Sequence, residues 1–217
     1  MTEAILYLIT ALLCVITVNE ACKCAVVHPQ TNFCNADFAI RAKVLSESQT
    51  NNSRVYTVKI LKAFKGTNEI TRITASQVKD AGKRKNKKVA HVTTELHSAA
   101  CGVSLDQSKT YLLLGYIDEQ KLRIDSCQWN ALWTSATAQQ RRGLKKLYGQ
   151  NCACRIEKYC FRRPTETCDD MIDGCDVPDA DPAVRFCKKK NAYCKKLGDE
   201  CKWIIVKKAF QKCISSY

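Results

Sequence analysis

The side chains best equipped for chemistry in this chain are its thiols and imidazoles, 15 cysteines and 3 histidines in 217 residues. His28, His91 and His97 form no HExxH pair and no Cys/His zinc-finger spacing, and there is neither a G-x-S-x-G elbow nor a phosphate-binding glycine loop. His91 and His97 lie near a polar segment and read as ordinary surface or strand residues. The thiols are too numerous for one of them to be a lone nucleophile, so they read as disulfide material if the compartment is oxidising. An enzyme is not what these residues describe.

The compartment follows from the first segment. Residues 4–18 are uncharged and largely apolar, and Asn19-Glu20-Ala21 follows them. A membrane span needs about 20 such residues, so the run fits the apolar region of a secretory signal, although no Lys or Arg precedes it. Asn19 is also not the small residue preferred three positions before the cut. Residues 1–21 are therefore expected to be a signal peptide removed after Ala21. Cleavage there discards Cys14 and leaves 14 of the 15 cysteines, enough for seven disulfides. It also discards only Glu3 and Glu20 among the charged residues, raising the formal net charge from +14 to +16. Cys22 becomes the first residue. No later run is long and apolar enough for a membrane span, so the expected location is the extracellular space or matrix.

The elements that must position this terminus divide into two parts. Phe38, Ile40, Ala42 and Val44 alternate with Ala39, Arg41 and Lys43, and Tyr56, Val58 and Ile60 alternate with Thr57 and Lys59, which is strand periodicity. Thr110–Ile117 is a nearly continuous apolar run, expected of a strand covered on both faces. Lys121–Asp125 alternates again after an Asp118-Glu119 turn and predicts a hairpin. Leu144, Leu147 and Tyr148 share a helical face, in a stretch that Gly143 weakens. From residue 151 onward there is little patterned core, while nine cysteines fall between Cys152 and Cys213. The expected organisation is a β domain over 22–150, tied on through Cys152, and a small disulfide-rich domain over 151–217.

The basic stretch Lys79–Lys88 reads as an exposed loop. Its Lys83, Arg84, Lys85, Lys87 and Lys88 are either a solubilising run or a candidate glycosaminoglycan contact for heparan sulfate in the matrix. A nucleic-acid partner is not expected, since no aromatic-interleaved basic motif accompanies secretion. Asn51-Asn52-Ser53 is a candidate N-glycosylation sequon at Asn51.

The processed terminus would read Cys22-Lys23-Cys24, then His28-Pro29-Gln30-Thr31, Phe33-Cys34 and Ile40-Arg41-Ala42-Lys43. Phe64-Lys65-Gly66, Cys101-Gly102-Val103-Ser104-Leu105, Trp129-Asn130, Gln140-Arg141-Arg142-Gly143 and Cys152-Ala153-Cys154 follow in order. In this combination the chain resembles the tissue inhibitors of metalloproteinases over residues 22–154. The resemblance implies a mostly β fold with a flanking helix: a five-stranded OB-like barrel, the netrin-type module, followed by the disulfide-rich domain. It also implies the bridges Cys22–Cys101, Cys24–Cys127 and Cys34–Cys152; six cysteines allow 15 pairings, and spacing alone does not choose among them. The segments implied to enter a zinc metalloendopeptidase cleft are Cys22, Lys23, Cys24, Ala25 and Val26 with Ser98, Ala99, Ala100, Cys101, Gly102 and Val103.

The physical basis is simple. A free α-amino group titrates near pH 8, so a neutral fraction exists at physiological pH. Its nitrogen and the carbonyl oxygen of the same residue can close a five-membered chelate on a zinc ion whose open position otherwise holds the hydrolytic water. The chain needs no cofactor of its own on this reading; the zinc is shared with the target protease. Four features depart from the family pattern. Lys23 stands where members commonly carry Thr or Ser, at the position implied to enter a specificity pocket. Val26-Val27 replaces a Pro-containing stretch. A basic insertion precedes Cys101, and eight cysteines follow Cys152 where the family has six.

Overall fold

The computed structural model describes residues 22–25, 27–80, 89–157, 174–176 and 181–217. The expected signal segment, Val26, the cationic side chains from Lys83 to Lys88, and Cys160 and Cys168 lie outside the described residues.

A short helix α1 (Pro29–Asn35) leads into two long strands, β1 (Phe38–Gln49) and β2 (Ser53–Lys65). Then come α2 (Thr67–Asp80), β3 (Val89–Glu95), β4 (Thr110–Asp118), β5 (Lys121–Arg123) and β6 (Ala131–Leu132). The sheet is mixed and six-stranded. β1 pairs antiparallel with both β2 and β4, β2 with β3, and β4 with β5 and β6, while β3 and β5 run parallel. Successive ladders thus lead from β1 through β2, β3, β5 and β4 back to β1.

Register follows the hydrophobic pattern. Ala42 faces Ile60 and Val44 faces Val58 across β1/β2, while Ile40 faces Leu113 across β1/β4. Shifts in the β1/β2 register occur at three places, and such irregularities bend and twist long strands. The expected hairpin joins β4 to β5, with Glu119 and Gln120 both at positive φ, as primed two-residue turns require.

The apolar run in β4 is explained by two separate buried clusters. Leu113 joins Phe38, Ile40, Val44, Tyr56, Val58, Val92 and Leu122 on one face. Leu112 and Leu114 turn to the other, against Ala39, Phe33, Leu144 and Tyr148. The outer cover comes from α1 and from a segment containing helix α3 (Ala138–Arg142), which continues as a π-helical turn over Gly143–Leu147. Thr137 and Gln140 cap α3 reciprocally. Gly143 is more than a weak point in this helix: a Cβ there would collide with the Tyr148 ring. The close approach lets the ring lie fully buried in the second cluster.

Further along are β7 (Arg155–Glu157), β8 (Gly174–Asp176), α4 (Pro182–Asn191), the hairpin β9 (Ala192–Leu197) and β10 (Glu200–Ile205), and α5 (Lys207–Ile214). This region is held by Cys154–Cys201, Cys175–Cys194 and Cys187–Cys213. Its small core is built largely of half-cystines with Ile156 and Trp203, as expected where apolar surface is scarce.

Candidate functional site

The N-terminal segment is fixed to the sheet by cross-links. Cys22 is bonded to Cys101, Cys24 to Cys127 and Cys34 to Cys152. The first two bridges lie against each other: Cys22 Sγ is 3.6 Å from Cys24 Sγ and 3.9 Å from Cys127 Sγ. All four sulfurs fall within 4.8 Å of one another. That spacing would suit a metal, but each sulfur is spent in a disulfide and offers no thiolate ligand. The clamp is structural.

Around it the backbone is tightly accounted for. The Cys22 nitrogen donates to the Ala99 carbonyl at 3.0 Å, and Ser126 N–H donates to the Cys101 carbonyl at 2.9 Å. Asp125 Oδ1 accepts from the amides of Cys127 and Gln128. Ser98–Ala100 makes a single 3-10 turn, and Cys101 ends it at φ 62°, ψ 24°, a left-handed conformation uncommon for a residue with a Cβ. Gly102 follows where a Cβ would collide with the Glu95 carbonyl oxygen. Val103 N–H then donates to Thr94 Oγ1, and its carbonyl accepts from the Tyr56 hydroxyl. Glu95 is in turn held by Arg123 at 2.7 Å.

Two short stretches therefore lie side by side. Lys23, Ala25, Ser98, Ala99 and Ala100 are exposed, while Cys22, Cys24, Cys101, Gly102 and Val103 are half-buried beneath them. An exposed edge of small side chains and one lysine, bridged to the sheet by disulfides, can enter a cleft at little ordering cost. Asn51 is exposed in the turn between β1 and β2. His91 is exposed on β3 near Thr57 Oγ1, and His97 precedes the 3-10 turn. The basic stretch begins differently from the expected loop, because α2 runs through Lys79 to Asp80.

His28 and Gln30 carry structural roles that motif reading did not reveal. His28 is buried, and its Nδ1 accepts from the Gln30 amide, capping α1. Burial pushes its pKa down to about 4, against the weaker raising effect of the nearby Lys188 and Ala192 carbonyls. Its ring meets Trp203 edge-on at 5.2 Å. Gln30, only 1 % exposed, donates from Nε2 to the Asn151 and Cys194 carbonyls and accepts at Oε1 from the Cys194 amide. Thr137 and Gln140 similarly donate to the carbonyls of Lys190 and Lys189. The Gln30 contacts join α1 to β9, and those of Thr137 and Gln140 join the start of α3 to α4. The signal available in sequence was a polar residue, His28, directly before Pro29, which suggests a helix cap but not the distant partners.

The sequence matches the family model for tissue inhibitor of metalloproteinase over residues 20–203, and the chain belongs to that family. It is 33% identical to metalloproteinase inhibitor 3 of Gallus gallus over 152 residues, 68% of this chain and 64% of that protein. It is 32% identical to metalloproteinase inhibitor 3 of Xenopus laevis over 187 residues, 81% of this chain and 80% of that protein. Metalloproteinase inhibitor 2 of Homo sapiens is 32% identical over 152 residues, 64% of this chain and 61% of that protein. The alignments to the chicken and human proteins thus span less than two thirds of their length.

Proposed function

We propose that this chain is a secreted inhibitor of zinc metalloendopeptidases, and not an enzyme, that binds reversibly through its processed N-terminus. Removal of residues 1–21 frees the Cys22 α-amine. The amine and the Cys22 carbonyl oxygen chelate the protease's catalytic zinc and displace the water that would attack substrate. Cys22–Val26 and Ser98–Val103 fill the cleft on either side. The inhibitory unit is residues 22–150, read as a five-stranded OB-like barrel of netrin type, with 151–217 as the second domain. The return of the strand ladders to β1 supports the barrel reading.

The observation that carries the proposal is the anchoring of Cys22: bridged to Cys101, flanked by Cys24–Cys127, and hydrogen-bonded through its own nitrogen to Ala99. A terminus held at three points is pre-organised for metal chelation; a free one would lose much of its binding energy on ordering. The names of the relatives point to the same class of target. Adding one alanine before Cys22 tests this directly. The extended chain should lose inhibition by at least a hundredfold while its disulfides stay intact. Equal inhibition by both forms, or none by the processed form across a panel of metalloendopeptidases, would refute it.

A further inference from the structure

A cleft of about 410 Å³ opens beside the exposed edge, between the N-terminal segment and α4. Cys24, Ala25 and Val27 form one wall, and Phe186, Lys189 and Lys190 the other, over a floor that includes Trp129. Among the described residues its lining contains two lysines and no carboxylate. Phe186 is 45% exposed, a large apolar surface for a helix side chain, and Lys190 Nζ lies 5.5 Å from its ring centre.

Both walls are fixed. The Cys24–Cys127 bridge holds the first, and the hydrogen bonds from Thr137 and Gln140 to the Lys190 and Lys189 carbonyls hold the second. The cleft is also continuous with the edge, because Cys24 and Ala25 belong to both. A protease seated on that edge must present its own rim to this cleft. The chemistry that fits is an apolar side chain against Phe186 and Trp129, flanked by carboxylates facing the lysines.

We propose that this cleft is a second contact surface, occupied by a rim loop of the target protease carrying an apolar residue beside acidic ones. The proposal rests on the inhibitory reading above. It gives α4 a direct part in choosing among proteases: those with an acidic–apolar rim are held more tightly than those with a basic one.

The test uses the full processed chain and the catalytic domain of a zinc metalloendopeptidase with an acidic rim. Phe186→Ala and Lys190→Glu should each weaken inhibition about tenfold or more. The lysine variant should act mainly on the association rate and flatten its salt dependence. A photo-crosslinking residue at position 186 should attach to the protease rim. Inhibition within twofold of wild type for both variants, or crosslinks only to a second copy of the chain, overturns the proposal. The one-alanine extension separates the two claims. If the extended chain still inhibits, the zinc reading fails; if it does not, while both variants inhibit normally, only the cleft fails.

Discussion

Replacing Gln30 by Glu changes one NH₂ to oxygen in a buried site and little else. The wild-type amide donates to the Asn151 and Cys194 carbonyls, both at 3.0 Å, and accepts from the Cys194 amide at 2.9 Å. A glutamic acid of the same shape keeps the bond from Cys194. Ionised, it aims a negative oxygen at two carbonyl oxygens in a buried site. Protonated, it satisfies one carbonyl and leaves the other unpaired, at about 1–3 kcal/mol. Holding a carboxyl with an ordinary pKa near 4.3 protonated at pH 7 adds about 3–4 kcal/mol at roughly 1.4 per unit. The expected loss of stability is therefore about 4–7 kcal/mol at pH 7 and about 1–3 kcal/mol at pH 4, each relative to wild type at the same pH. Guanidinium unfolding with disulfides intact reads both values. A loss below about 1 kcal/mol at pH 7, or one that does not shrink on acidification, would show that this junction does not hold the two halves together.

Two further outcomes follow from the same geometry. His28 has its folded pKa lowered to about 4 from 6.5, so the native state binds fewer protons than the unfolded chain between those values. Its contribution is fully present above pH 6.5 and is lost as pH falls towards 4, by about 3 kcal/mol. His28→Asn, which can still cap α1, should flatten that slope in unfolding titrations at stepped pH; an unchanged slope would assign it to other groups. Lys23 is exposed in the free protein, and carrying its ammonium into an apolar specificity pocket costs desolvation. Lys23→Thr should tighten inhibition of proteases with apolar pockets by roughly 10–100-fold, about 1–3 kcal/mol, and leave acidic-pocket proteases unimproved or weakened. Uniform tightening across both classes would contradict the desolvation argument.

Local patterning carried much of the sheet. The alternation in β1 and β2 and the turn before β5 are short-range signals, and each corresponds to an observed element. The doubled burial of β4 was also legible, because a strand apolar on both faces needs two covers. Less legible was what supplies the second cover. The π-turn at Gly143 depends on Tyr148 folding back over it, and a residue count cannot distinguish that from a helix broken by glycine. Helix α2 was missed because its polar sequence merges into the lysine-rich stretch. Within the candidate site, the family resemblance singled out two stretches, one at Cys22 and one at Ser98–Val103, that the structure brings side by side. The Gln30–Cys194 tie stayed invisible, since its partners are backbone groups far along the chain, and backbone groups leave no mark in side-chain types.

Two atoms of Cys22 carry the proposed inhibition, and the zinc itself reports on them. Zinc-edge X-ray absorption of a metalloendopeptidase should be compared with and without the bound, processed chain. The water oxygen should give way to one nitrogen and one oxygen at about 2.0–2.2 Å, raising the coordination number. The same spectrum with and without the inhibitor, in a complex that is otherwise inactive, would mean that inhibition does not pass through the metal.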